Sequence, residues 1–244
     1  MSAQLQLFES RESSERWTVR VSRRARRMSV RVYPGGRVEV VVPPGVSPST
    51  VQRFVGTHSQ WISRRVQDLS AAGLPVNAGP PTQIRVPAIG RTFTVEYEHT
   101  GSASIRPELF DGDVLRIFGP VHDEAAVAAA LRQWLCDLAY DELGAQLAEV
   151  SRQLGLGFSR IQVRRQRTRW GSCSASGTIS LNVCLMFLER AVVRYLFVHE
   201  LCHTRHMNHS PRFWALVERH EPDYRRLDRE LLRGWQAVPG WMFE

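Results

Sequence analysis

HELCHTRHMNHS, residues 199–210, places four histidines and one glutamate within twelve positions. It closes an apolar run, Val192, Val193, Tyr195, Leu196, Phe197 and Val198, dense on several faces, and this density predicts a buried helix. On a helix, residues i and i+4 share a face, so His199 and His203 can present their imidazoles to one ion. Glu200, next to the first ligand, can hold a water without ligating. Zinc lowers the pKa of water, and a neighbouring carboxylate takes its proton. Burying two imidazoles and a carboxylate without a partner is unfavourable, and a metal supplies the compensation.

A catalytic zinc takes a third protein ligand and keeps a fourth position open. Three residues compete for that role. His206 lies on the correct face but about two turns, roughly 10 Å, from His199. His209 follows His203 by six residues, the spacing of HExxHxxGxxH sites, with His206, Met207 or Asn208 at the turn. Glu218, on a following helix, is the remaining option. The tight spacing favours His209.

Outward from this stretch, Ser210-Pro211 and Glu221-Pro222 each predict a helix start. Upstream, RTRWGSCSASG is flanked by strand-like segments, Ser159 to Arg165 and Gly177 to Asn182. The helix that ends in the histidines runs from about Leu188 to His206. Before them a helical pattern, capped by Asp123 and stopped by Gly155 and Gly157, carries Leu131, Leu135, Leu138, Leu143, Leu147 and Leu154.

The first half of the chain reads differently. Arg27 to Val42 alternates around Pro34-Gly35-Gly36 and predicts a β-hairpin. Ser47 or Ser49 can cap one helix with the stripe Val51, Phe54, Val55, Trp61, Ile62, Val66 and Leu69, stopped at Gly73. His58 on that stripe reads as a packed side chain rather than a ligand. Gln83 to Phe118 predicts further antiparallel sheet, broken at Gly101, Pro107 and Asp111-Gly112. The expected fold is α+β: a β-rich region over 1–120 and a helical region over 121–244, with no flexible linker between them and no internal repeat.

All 32 basic residues are arginine; net charge is +8 and the isoelectric point about 10.1. Codon bias accounts for the missing lysine. The charge points to polyanions, nucleic acid or nucleotides, as partners. Arg16 to Arg31 holds seven arginines and no acid, and a solvated outer face is its plainer reading. Arg164, Arg165, Arg167 and Arg169 form a second cluster. No export signal or membrane-length apolar run is visible, and the four cysteines form no CxxC pair, which predicts a cytoplasmic protein with reduced thiols.

RWGSCSASGTISLN, followed by YLFVHELCHTRHMNHSPRFW, closely resembles the YgjP-like metallopeptidase family, relatives of the SprT-like and WLM metalloproteases. The likeness extends upstream to the arginine-rich hairpin and to the helix carrying Trp61-Ile62. It implies one zinc ion on His199, His203 and His209, with Glu200 as base. It also implies a zincin-like, minigluzincin-type fold with an edge strand beside the HExxH helix. The strand at Arg167 to Trp170, or its partner at Thr178 to Asn182, could receive an extended or unfolded polypeptide. Arg169, Trp170 and Tyr224 are candidate substrate-binding residues, with an ion pair to an acid as the equal alternative for Arg169 and a turn anchor as that for Trp170. Cys173 could reach the metal as a thiolate, though a small turn residue is the simpler reading. His206, Tyr195 and Tyr224 are the available oxyanion donors, and spacing does not choose among them.

Three functions compete. The first is a zinc peptidase cleaving polypeptide. The second is a nucleotide phosphohydrolase or pyrophosphatase, a role also attached to the resembled family; against it, phosphate chemistry usually runs on magnesium held by carboxylates. The third is a non-enzymatic nucleic-acid-binding protein with structural zinc, against which stands a site of histidines rather than cysteines.

Overall fold

The computed structural model describes residues 6–7, 17–33, 36–70 and 79–243. The turn residues Pro34 and Gly35, Arg16, the helix stop at Gly73 and the Leu69 side chain lie outside the described residues. The chain is mixed α+β and divides into two compact units, Met1–Leu74 and Pro75–Glu244. The sheet over 83–119 therefore belongs with the helices that follow it, whereas the sequence reading drew the line at 120.

In the first unit the sheet order is β1-β2-β4-β3, from Gln6–Leu7 (β1), Trp17–Val21 (β2), Ser29–Val32 (β3) and Val38–Val42 (β4). β3 and β4 form the expected antiparallel hairpin, and β2 runs parallel to β4. Val38, Val40, Val41 and Val42 are buried along with Trp17 and Val19. Ser47 caps the next helix by accepting from the Thr50 amide. The single helix expected here is two, Pro48–Thr57 (α1) and Ser59–Ser70 (α2). The break has a local cause. Side chains of Thr57, His58 and Ser59 satisfy the carbonyls of Arg53, Phe54 and Gly56 at 2.8–2.9 Å, closing α1 where it would otherwise continue.

The second unit opens with a sheet ordered β5-β6-β8-β7, from Gln83–Val86 (β5), Arg91–His99 (β6), Arg106–Phe110 (β7) and Val114–Gly119 (β8). Its order and pairing directions repeat those of the first sheet. In particular β6 runs parallel to β8, so the sheet is mixed and not antiparallel throughout. The same topology occurs twice in a chain whose sequence showed no repeat. Each parallel pair needs a connection crossing the end of the central strand. In the second unit that connection, residues 100–105, passes directly over Gly119. Gly119 has φ of +122°, and a Cβ there would meet the Ser104 carbonyl oxygen at 2.5 Å.

Asp123 caps the long helix Glu124–Leu154 (α3) through the Ala126 amide, and Gly155 ends it in a left-handed conformation. Leu131, Leu135, Ala139, Leu143 and Leu147 form its buried face, and Trp134 meets Phe93 of β6 edge to face. A three-stranded sheet of order β10-β11-β9 follows, from Arg160–Arg164 (β9), Gly171–Cys173 (β10) and Thr178–Asn182 (β11). The extended segment expected over Arg167 to Trp170 is a loop, and the edge strand begins only at Gly171.

Helix Arg190–Cys202 (α4) is buried nearly all round, from Val192 to Cys202, and packs on α3, β10 and the helices Pro211–His220 (α5) and Tyr224–Arg233 (α6). It ends four residues before His206. Ser210 caps α5 as expected, whereas α6 begins at Tyr224 behind Asp223, two residues later than the Glu221-Pro222 signal. All four cysteines are free. Among the described residues no helix is long and apolar enough to cross a membrane.

Gly119→Ala combines a forbidden φ with a clash against backbone, and should lower unfolding free energy by about 3 kcal/mol. Gly155→Ala, left-handed but in open space, should lower it by only about 1 kcal/mol. Urea denaturation of the two variants beside wild type measures both.

Candidate metal centre

Near the C-terminal end of α4, His199 and His203 stand one turn apart on one face. The chain then turns through residues 204–209, and the α5 cap brings His209 back over them. His199 Nε2 lies 3.2 Å from His203 Nε2 and 3.1 Å from His209 Nε2. The three ligand atoms all lie within 4.8 Å of one another, and theirs is the group among the described residues able to hold a metal. Bonds of about 2.0–2.1 Å from three nitrogens to one tetrahedral zinc would separate the nitrogens by roughly 3.3–3.4 Å. The observed spacing fits such an ion with small adjustment.

The other candidates for the third position do not join this group. His206 contributes its backbone carbonyl instead, 3.0 Å from His203 Nδ1. A carbonyl can only accept, so Nδ1 carries the proton and Nε2 keeps its lone pair for the metal. Glu218 is ion-paired to Arg225 at 2.8 Å. Burial, then the neighbouring histidines His203 and His209, pushes His199 down to a pKa of about 3, so it is neutral near pH 7. His203 is lowered as well, chiefly by burial.

An aromatic wall holds the imidazoles. Phe213 of α5 stacks on His203 at 4.4 Å between ring centroids and meets His199 and His209 edge-on near 5 Å. Trp214 stacks on His209, and Tyr224 stacks behind Trp214. NHSPRFW therefore supplies the third imidazole and, four and five residues later, the rings that orient all three. The sequence indicated only that a helix starts at Ser210-Pro211.

The Glu200 carboxyl lies against Gly171 of β10. Glu200 is 4% exposed, and its Oε2 has no hydrogen-bond partner. Burial pushes its pKa up to about 8, against a smaller opposing pull from Arg169. A Cβ on Gly171 would lie 2.7 Å from Glu200 Oε1, so only glycine lets the edge strand pass this close. Asn182, fully buried, sets that approach. Its Nδ2 donates to the carbonyls of Gln166 and Arg169 at 2.8 and 2.6 Å, its Oδ1 accepts from the Cys184 amide, and its own amide donates to the Trp170 carbonyl. Neither Gly171 nor Asn182 stood out in the sequence, although both lie in the quoted RWGSCSASGTISLN.

The proposed substrate residues divide. Arg169 is exposed and close enough to bias the Glu200 charge. Trp170 is buried and stacked on Trp235 at 4.1 Å, so it anchors the loop and does not line an open pocket. Tyr224 is likewise buried, under Trp214. Tyr195, an oxyanion candidate, is buried with its hydroxyl donating to Asp228 at 2.8 Å. Cys173 lies on β10, where burial and then Glu200 push its thiol up, which disfavours the thiolate needed to ligate a metal.

Comparison with known proteins now bears on this geometry. The pattern described as YgjP-like, metallopeptidase domain, matches residues 26–233. The chain belongs to the YgjP-like metallopeptidase family. The match spans both units, including the arginine-rich hairpin and all three histidines. A search of curated proteins gave no match. Among solved structures, the crystal structure of the metallopeptidase zymogen of Pyrococcus abyssi abylysin is similar over 40% of this chain and 98% of its own, at 23% identity and a TM-score of 0.36.

The raised Glu200 pKa has a consequence for the metal-free protein. A carboxyl of pKa about 8 when folded and about 4.5 when unfolded destabilises the fold increasingly as pH rises between those values. Glu200→Gln removes that penalty. Its stability relative to wild type, measured by urea denaturation after chelation, should therefore climb from pH 4.5 to 8 and then level off. A difference independent of pH would contradict the assigned burial.

Proposed function

We propose that this YgjP-like metallopeptidase is a zinc-dependent peptidase in which His199, His203 and His209 hold one zinc ion and Glu200 is the general base. The observation that carries this reading is the convergence of three Nε2 atoms, with those of His203 and His209 3.2 and 3.1 Å from that of His199; the residue after His199 is Glu200, a buried carboxyl with an unpartnered oxygen. Zinc held there would supply Lewis-acid polarisation of a carbonyl and make water easier to deprotonate.

The chain's own residues account for the rest. The His206 carbonyl fixes the His203 tautomer and leaves its Nε2 free to ligate. Glu200 has an unoccupied acceptor atom to take a proton from water. The low polarity that raises its pKa also makes it a better proton acceptor, and the positive charge of a bound cation would keep it ionised before it acts. Arg169 biases it the same way. β10 is an edge strand beside α4, and in a zincin-like arrangement an extended polypeptide would add to its open side. An all-imidazole donor set suits zinc better than magnesium, so peptide hydrolysis is preferred over phosphoryl transfer. The absence of cysteine from that donor set disfavours a purely structural site.

Zinc-loaded wild type incubated with denatured proteins should generate new peptide termini, read by mass spectrometry. Glu200→Gln should lower that rate by roughly a hundred- to ten-thousand-fold while retaining one zinc per chain. His209→Ala should lose the zinc itself, measured by elemental analysis after gel filtration. Equal activity of wild type and Glu200→Gln would overturn the assignment.

A further inference from the structure

Charge is divided unevenly between the two units. Residues 1–74 contain 12 arginines against 5 acids, a net +7, whereas residues 75–244 contain 20 arginines against 19 acids, a net +1. Codon bias explains why every basic residue is arginine. It does not explain why the acids are missing from one unit. In the second unit arginines are widely paired, as in Arg91–Asp113, Arg116–Glu96, Arg194–Glu221 and Arg226–Glu230. In the first unit, among the described residues, the ion pair is Arg20–Glu39.

The excess is concentrated in the crossover between β2 and β3, Ser22–Met28, with sequence SRRARRM. Arg23, Arg24, Arg26 and Arg27 are all exposed, and among the described residues none has an ion-pair partner. The loop is nevertheless anchored. The Ser22 amide donates to the Val42 carbonyl at 2.9 Å, and the Ala25 amide donates to the Ser22 carbonyl at 3.1 Å.

The repeated topology provides an internal control. The corresponding crossover of the second unit, residues 100–105, starts with the same bond, the Thr100 amide donating to the Gly119 carbonyl at 3.2 Å. Its sequence is TGSASI, without a charge. Crossing the end of the central strand therefore does not call for arginine. Four like charges within a few residues repel one another, and at 0.1 M salt their separation is well inside a Debye length of about 10 Å. A polyanion relieves that repulsion.

We propose that the Ser22–Met28 loop is a docking surface for the phosphodiester backbone of nucleic acid, bound without regard to base sequence. Guanidinium groups pair with phosphates in a bidentate manner, and a nucleic acid offers phosphates in a closely spaced row. The loop carries no aromatic ring to stack on bases, so the contact is electrostatic. This surface lies wholly within the first unit and requires no metal.

The test uses the full-length chain with fluorescein-labelled single-stranded DNA, its duplex and an RNA of the same sequence, read by anisotropy from about 0.05 to 0.3 M salt. Replacing Arg23, Arg24, Arg26 and Arg27 together by Gln should weaken binding about a hundredfold at 0.1 M salt and flatten the log–log salt slope by roughly 3 to 4. Replacing Arg160, Arg190, Arg219 and Arg229, exposed arginines of the second unit, lowers net charge equally and should change affinity less than about threefold. A four-lysine version of the loop keeps the charge and should retain the slope, which guards against misfolding as the cause. Equal losses from both glutamine sets, or binding that ignores the loop set, would overturn the proposal. So would binding to phosphatidylserine vesicles with none to any of the nucleic acids.

Discussion

Three imidazole nitrogens, two of them 3.1 and 3.2 Å from the third, turn toward the same small volume, an arrangement that is unfavourable unless something positive sits between them. Most of the second unit works to hold it. Two of the rings come from one turn of a helix buried on nearly every face, so neither can swing away without disrupting the core. The third is returned by a short turn whose end is fixed by the Ser210 cap, while Phe213 packs against all three at once. Dispersion and shape resist the electrostatic tendency of the site to open. A metal ion bound there would remove that tension, in keeping with membership of a metallopeptidase family.

Glu200, the proposed base, is positioned by a different chain of contacts, and it begins far from the three histidines in sequence. Asn182 ties two carbonyls of the 166–169 loop to the end of β11. That places Trp170 against Trp235 and sets Gly171 against Glu200. A carboxylate with one oxygen unpartnered is held in an apolar wall, and the strand that seals it is also the open edge of its sheet. The three residues of β10 thus both bury Glu200 and form a sheet edge.

What could be read from the sequence was whatever is local. The i, i+4 histidines, the caps at Ser47, Asp123 and Ser210, and the left-handed stop at Gly155 each depend on a few neighbouring residues, and each is found in the structure. The parallel pairing of β6 with β8 depends on residues far apart, and alternation alone carries no sense of direction, so antiparallel sheet was the natural but mistaken expectation. Trp170 and Tyr224 were offered as substrate contacts because an aromatic near a metal motif has two possible fates. Their partners, Trp235 and Trp214, decide it, and no spacing rule links Trp170 to a ring 65 positions away. The break at His58 is a subtler failure: three consecutive polar side chains each take a carbonyl of the preceding turn, while the apolar stripe continues past them.

The repeated sheet topology connects these points to the basic charge. Each unit contains a four-stranded sheet of the same strand order, to which the second unit adds a three-stranded sheet and the helices around it. The second unit carries the helix with the first two of the three clustered histidines; the first carries, among the described residues, four exposed loop arginines without an ion-pair partner. The central claim nevertheless concerns the three histidines, and the most direct test is X-ray absorption fine structure on the zinc-loaded protein. Three imidazoles and one oxygen ligand, all at about 2.0–2.2 Å, are the expected shell, the imidazoles recognised by scattering from their outer ring atoms. A sulfur shell near 2.3 Å, or only two imidazoles, would contradict it.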